Sequence, residues 1–347
     1  VKIAQVAPLY ESVPPRLYGG TERIVSYLTE ELVRMGHEVT LFASGDSVTQ
    51  ARLVSPCARS LRLDSTTKDP IAPHVLLVEE VLQEARSFDI IHFHIEHVHF
   101  PVLRRLMVPH VTTLHGRLDL PELRPFYREF REMPLISISD SQRTPLPFAN
   151  WRGTVHHGLP PDLLQFSGEK GSYLAFLGRI SPEKHCDWAI RIACRAGLPL
   201  RIAAKVSQED RPYFESTIRP LLGEPGIEFL GEIGEAEKSE FLRKAIALLF
   251  PIDWPEPFGL VMIEAFATGT PVIARPCGSV REVVDDGVTG FLGQTLDDLT
   301  RAVRRIDRLS RNDCRSRFDS EFTAHRMARD YVEIYHRLLH RRPAWKK

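Results

Sequence analysis

No apolar run in these 347 residues is long enough to cross a membrane. The longest, "AIALLFPI" at residues 245–252, has the length of a strand. An excess of one charge is also missing. Forty-five lysines and arginines face 45 aspartates and glutamates, which argues against a nucleic-acid binder with its usual basic surplus. Cysteine is sparse: Cys57, Cys186, Cys194, Cys277 and Cys314 are scattered, odd in number and without zinc-type spacing, so they read as reduced thiols of a cytoplasmic protein. The chain enters a strand at once with "VKIAQVAP", and no leader pattern is recognised. No G-x-G-x-x-G spacing opens a helix, which counts against a dinucleotide oxidoreductase. No Asp-x-Asp stands at a strand end.

What is present is alternation. Short apolar or β-branched runs ("KIAQVAP", "HEVTLFASG", "FDIIHFH", "PHVTTLHG", "PLISISD", "GTVHHG") are separated by segments of helical spacing. In "TERIVSYLTEELVRMG", Ile24, Leu28 and Leu32 recur every four residues, with Thr21 as the expected N-cap and Gly36 as the stop. The rhythm pauses in the Pro/Gly/Ser-containing residues 159–173 and restarts with "YLAFLGR", "LRIAAKV", "IEFLGEI", "AIALLFP" and "TPVIARP". Apolar strands alternating with amphipathic helices predict parallel sheets covered on both faces. The expectation is two doubly wound α/β domains, residues 1–165 and 166–325, facing each other across a ligand cleft. A C-terminal helix and basic tail, residues 326–347, is expected to pack back toward the first domain. The tail "RRPAWKK" reads as solvated, with membrane contact at most peripheral.

Three loops carry candidate chemistry. "YGGTERI" places Gly19 and Gly20 before a helix, where backbone can approach a ligand and free N–H groups attract an anion; such turns are also common as plain structure. "FLGRISPEKHCDWAI" sets Gly178 and Arg179 at a strand end with Lys184 five residues on. Two cations at such a mouth can neutralise a diphosphate, or be solvated surface charges. "WPEPFGLVMIEAFATGTPVIA" holds two acids, Glu256 and Glu264, in an otherwise apolar run. A buried carboxylate needs partners. Pro257 is expected to open a helix, so that the N–H groups of Phe258, Gly259 and Leu260 face a ligand. Carboxylates accept from vicinal hydroxyls, so one acid on the loop and one on the helix suit the two polyol ends of a nucleotide sugar. The alternative is that Glu256 caps the helix and Glu264 pairs with a basic neighbour.

"EPFGLVMIEAFATGTPVIA", "FLGRISPEK" and "GGTE", with "FDIIHFH", "TTLHG", "EFLGEIGEAEKSEFL" and "GSVREVVDDGVTGFL", resemble the retaining glycosyltransferases of family four, which have the GT-B fold. The likeness spans nearly the whole chain in the expected order. It implies that Glu256 contacts the transferred sugar, Glu264 the ribose, Arg179 and Lys184 the diphosphate, and the backbone near Ile233 the base. Gly20 would pack against the diphosphate, and His115 would lie beside the sugar ring at its C6 end. Two departures stand out: His185 where many relatives have glycine, and "AAKVSQED", with Lys205, where they have a Gly-rich turn. The cluster "HFHIEHVH" (His92, His94, Glu96, His97, His99) raises a metal reading, but such strand ends occur in the family without metal, and none is expected.

The function expected from this resemblance is transfer of a sugar from a nucleoside diphosphate, with uridine favoured, to a hydroxyl of a saccharide, lipid or small-molecule acceptor. Anomeric configuration would be retained, with no cofactor and no nucleic acid. A sugar-nucleotide epimerase or a glycoside phosphorylase is the alternative.

Overall fold

The computed structural model describes residues 1–16, 19–64 and 66–340; the basic tail at residues 341–347 lies outside them. The chain forms two compact units. The first comprises Val1–Pro160 together with the chain from Ala324 onward, and the second is Pro161–Thr323.

The first unit carries a sheet of seven strands: β1 Lys2–Val6, β2 Glu38–Phe42, β3 Arg52–Val54, β4 Ile90–Phe93, β5 His110–Thr113, β6 Leu135–Ser137 and β7 Trp151–Thr154. Their order is β3-β2-β1-β4-β5-β6-β7, and every pairing is parallel. The second unit carries six: β8 Tyr173–Arg179, β9 Leu200–Lys205, β10 Ile227–Gly231, β11 Ala245–Phe250, β12 Val272–Ala274 and β13 Gly290–Leu292. Their order is β10-β9-β8-β11-β12-β13, again all parallel. Both are doubly wound sheets, as the continuous apolar runs predicted. Ile90 to Phe93 are buried at every position, because a parallel strand between helices has no wet face. The short strands β3 and β13 were not anticipated: Arg52–Val54 and Gly290–Leu292 lack the continuous apolar or β-branched run that marks the equally short β6 and β12.

In the first unit Leu9, Phe42, Phe93, Phe100, Leu103 and Tyr127 share one core. In the second, Phe176, Ile190, Ile202, Leu249, Ile273 and Leu299 share another. The helix Ala324–His340 belongs to the first unit and buries Met327, Tyr331, Ile334 and Tyr335. It is entered through an Ala324 N–H donated to the Leu159 carbonyl at 2.8 Å, and Arg326 donates to the carbonyls of His156 and His157 at 2.7 and 3.0 Å.

Two helix starts differ from the sequence reading. The first helix runs Gly20–Arg34 with Gly19 at its N-cap, so Thr21 lies inside its first turn. Pro257 does not open the later helix either: that helix is Leu260–Ala267, capped by Gly259 in the left-handed conformation at φ 80°. A Cβ at Gly259 would sit 2.8 Å from the Met262 methyl and 3.3 Å from the Phe250 ring. The turn into the helix is therefore made at glycine, two residues after "EP". All five cysteines carry free thiols. Among the described residues no helix is long and apolar enough to cross a membrane.

Candidate active site

In the second unit the strand order reverses between β8 and β11, which lie side by side. Ligands of such sheets bind beyond the carboxyl ends of the strands at that point. Gly178 and Arg179 are the last two residues of β8. A 3-10 turn, Pro182–Lys184, follows, and the Asp253 N–H donates to the Glu183 carbonyl at 2.8 Å, tying this turn to the segment that leaves β11.

Lys184 and Glu256 are brought into direct contact: the ammonium bonds Glu256 Oε2, which also accepts the Trp254 indole N–H at 2.9 Å. The ammonium lies 4.9 Å from the Trp254 ring centroid and 5.6 Å from that of Phe250, within reach of a cation–π attraction. Both polar contacts fall on Oε2, so neither engages Oε1. Glu256 is not a helix cap, because Gly259 holds that position. Arg179 donates to Glu183 Oε1 at 2.9 Å, and its Nε lies 3.5 Å from Asp210 Oδ2. Each cation thus faces carboxylate, and an arriving diphosphate would compete for charge that is already matched.

The first two positions of the helix Leu260–Ala267 are Leu260 and Val261, whose N–H groups have no acceptor within the helix. Phe258 and Gly259 lie in the lead-in. Gly278 was not singled out from the sequence, yet it backs this loop. At φ 61° its Cβ would fall 2.3 Å from the Glu256 nitrogen, and Ser279 donates its hydroxyl to the Phe258 carbonyl at 2.7 Å. Arg275 was also missed. It follows β12, bonds Asp253 Oδ1 at 2.6 Å and covers the Trp188 ring.

Glu264 is 4% exposed on a helix buried nearly all round, and its partner is Lys238, at 2.6 Å. Lys238 lies on the helix Glu235–Arg243, 7% exposed, and also reaches Glu235 at 3.3 Å. The signal was in "EAEKSEFL": Lys238 stands three and four residues before the buried Phe241 and Leu242, on the apolar stripe, where a charge needs a partner. Ile233 occupies the loop from β10 into that same helix.

His185 explains one departure. It adopts the left-handed conformation (φ 51°, ψ 49°) as N-cap of the helix Cys186–Ala196, so the position suits glycine and histidine occupies it under strain. Its Nδ1 lies 3.3 Å from Asp187 Oδ1. Lys205 ends β9 opposite Arg179 in register.

In the first unit the reversal lies between β1 and β4. Gly19 is crowded, with a Cβ there 2.8 Å from that of Pro15, and Gly20 begins the helix. Glu22, buried in the first turn, is pushed up to about 7 by its burial and by Glu11 nearby. His115 follows β5. Its backbone N–H and that of Gly116 both donate to Glu96 Oε1, at 3.0 and 3.1 Å, so Glu96 serves backbone amides rather than joining the histidines. Its ring stacks on His157 at 5.3 Å, and its Nε2 lies 2.9 Å from His94 Nδ1. Burial pushes His115 down to about 3, and burial with the neighbouring imidazoles holds His92, His94 and His157 well below the usual range.

Comparison with known proteins bears on the family and the fold. Residues 18–151 match the model of Glycosyltransferase Family 4, and residues 165–324 match that of Glycosyl transferases group 1. The glycogen synthase of Mycobacterium tuberculosis is 25% identical over 385 aligned positions, covering 92% of this chain and 92% of that protein. The crystal structure of AviGT4, a glycosyltransferase of avilamycin A biosynthesis, superposes with a TM-score of 0.73 at 23% identity, over 99% of each chain. That of Anabaena Alr3699/HepE with UDP and glucose does so with a TM-score of 0.72 at 19% identity, over 96% of this chain and 98% of that one. Two parallel Rossmann-like sheets, a matched acid and lysine where the second reverses, and family models covering both halves lead to one conclusion: the chain belongs to the family-four glycosyltransferases of GT-B fold.

Proposed function

We propose that this protein transfers a sugar from a uridine diphosphate donor to an acceptor hydroxyl with retention of anomeric configuration. The observation that carries the reading is the Lys184–Glu256 contact beside Arg179 at the reversal of the second sheet. Arg179 and Lys184 would hold the diphosphate, releasing Glu183, Asp210 and Glu256 from their present partners. Glu256, anchored through Oε2 by Trp254, would then offer Oε1 to a hydroxyl of the sugar, while Glu264 takes the ribose and the backbone near Ile233 the base. Gly178, Gly259 and the amides opening the helix Leu260–Ala267 allow close approach and add positive potential. As the leaving phosphate gathers charge, the two cations stabilise it and no divalent ion is required. The departing oxygen would help to take the acceptor proton, and His115 would orient the ring through a sugar hydroxyl. Gly19 and Gly20 are assigned to close backbone approach at the diphosphate.

Support for uridine is that the HepE structure holds UDP and glucose; the glycogen synthase likeness supports sugar transfer with a saccharide acceptor. Calorimetry of Arg179→Ala and Lys184→Ala with UDP tests the reading. Each should weaken binding by ~1.5–3 kcal/mol, the scale of a charge-assisted hydrogen bond, and unchanged affinity in both would sink it. Glu256→Gln should lower turnover while UDP still binds, whereas Glu264→Gln should weaken UDP itself. Proton NMR of fresh product reads the anomer, and activity should survive EDTA.

A further inference from the structure

The second unit holds a hollow that the proposed donor site does not use. It measures about 520 Å³ and lies at the β13 edge of the sheet, with Pro276, Asp286, Phe291, Arg281, Arg301 and Arg305 in its lining. A volume of this size takes a small ligand. Arg179, Lys184 and Glu256 are not part of that lining, and β12 separates β13 from β11. Three exposed guanidinium groups open on the hollow, and little opposes them. No carboxylate among the described residues forms an ion pair with Arg281 or Arg305. Arg305 instead lays its guanidinium over the Phe291 ring, 4.8 Å from the centroid. Stacking engages the face of that group and leaves its in-plane N–H donors to an anion. Arg301 is paired with Asp298, and that carboxylate is spent: its other oxygen accepts the Thr295 N–H at 3.0 Å. Asp286 accepts the Leu292 N–H through Oδ1 at 2.9 Å, which leaves Oδ2 for a ligand donor.

Three cations against two carboxylates leave the hollow net positive beside one open acceptor. A phosphomonoester carries close to two negative charges on three oxygens, so it can engage more than one arginine fork. The hydroxyls of a polyol suit Asp286, which can only accept. The hollow is also joined to Glu256 through residues 276–279. Pro276 lines it, Gly278 lies against the Glu256 backbone, and Ser279 donates its N–H to the Glu256 carbonyl at 3.0 Å. Val280 then begins the short helix Val280–Val283 that carries Arg281. An anion that draws Arg281 inward therefore pulls on the segment that backs Glu256.

We propose that this hollow is a second ligand site, for the phosphomonoester of a small polyol, and that its occupancy acts on the loop that carries Glu256. The site lies apart from the donor site and does not depend on which nucleotide sugar the protein uses.

Calorimetry on the full chain, with ribose 5-phosphate as the probe, tests it. One molecule should bind per chain, with a dissociation constant on the order of 1 mM or tighter. Ribose should not bind, and inorganic phosphate should bind about tenfold more weakly, having no hydroxyls for Asp286. Arg281→Gln and Arg305→Gln should each weaken the probe about tenfold or more, the loss of a charge-assisted hydrogen bond. Arg308→Gln, at an exposed arginine outside the lining, should leave it unchanged. Saturating UDP should not displace it. Hydrogen exchange of peptides covering residues 254–260 should slow about twofold or more with the probe bound, and Arg281→Gln should abolish that slowing. No binding, equal binding of inorganic phosphate, displacement by UDP or an equal loss in Arg308→Gln overturns the site. Binding that leaves the loop's exchange unchanged overturns its link to Glu256. If UDP itself fails to bind, the donor reading falls, and the Arg281 and Arg305 variants still decide this one.

Discussion

The two units share a topology and differ in how they bury polarity. Both sheets are parallel and reverse their order beside the first strand, and both place candidate residues just past strand ends, Arg179 at the end of β8 and His115 after β5. In the second unit two ion pairs stand out among the buried and half-buried groups: Lys184 with Glu256, Lys238 with Glu264. In the first a cluster of neutral rings and hydroxyls does, with His92, His94, Thr113, Tyr331, Tyr335 and Gln5 exchanging hydrogen bonds. Thirteen of the 14 histidines belong to the first unit, and only His185 to the second. The reversal is a general place to bind. Charge pairs suit it to an anion such as a diphosphate, and a neutral network suits it to hydroxyls.

That contrast is sharpest in acid. His92, His94, His99, His110, His115 and His157 are all held neutral by burial, and His115 is pushed down to about 3 from 6.5. Above pH 6.5 they are neutral folded or unfolded and contribute no pH dependence. Below it the unfolded chain binds protons that the fold refuses, so stability falls as pH drops from 6.5 toward 3. Glu22 and Glu96, both raised, act in the opposite sense but are outnumbered. Hydrogen exchange read by mass spectrometry should show peptides of the first unit opening before those of the second as pH is lowered. Simultaneous opening, or the second unit first, would erase the contrast.

The ion-pair side is broken by removing one partner. Lys238→Met leaves Glu264 charged and buried, and should cost the second unit about 3–5 kcal/mol in urea unfolding. Lys238→Met with Glu264→Leu should recover much of that loss, since apolar side chains of similar volume can replace a buried pair. Recovery is what distinguishes an unpaired charge from lost packing.

A smaller effect should come from Gly278→Ala. Its Cβ would overlap the Glu256 backbone at a positive φ, so the loop must move. We expect a loss of roughly 1–3 kcal/mol and a larger fractional loss of turnover, because the displaced residue is Glu256. The smallest is His185→Gly, which relieves a left-handed histidine at the cost of a freer unfolded chain. The net should be a stabilisation of at most ~1 kcal/mol with turnover retained. A marked loss of nucleotide binding would instead give the imidazole a role at the phosphate side.

How much was legible varied with the range of the interaction. Strands and their parallel character showed plainly wherever a continuous run such as "FDIIHFH" marked them; β3 and β13 lack such a run. Glu256 stood out as an acid among apolar residues, and "FLGRISPEK" supplied its lysine. Lys238 was legible in principle from its place on the apolar stripe. Gly278 was not, because nothing local in "PCGSV" says that its α-carbon will press on a backbone 22 residues earlier in the chain. The helix start was misplaced because Pro257 satisfies local rules as a first helical residue, while the choice of Gly259 depends on the Phe250 ring and Met262.

The sequence by itself determined the alternation of strand and helix, the two-sheet architecture and the residue types of an anion-holding loop, since these follow from periodicity and from chemistry confined to a few neighbouring positions. Only the tertiary structure decided which groups pair. Lys184 meets Glu256 across 72 positions, and Gln5 meets Tyr335 across 330. It also decided which groups surround His115, because the partners of its ring come from segments far apart in the chain: His94, 21 positions away, and His157 stacked on it.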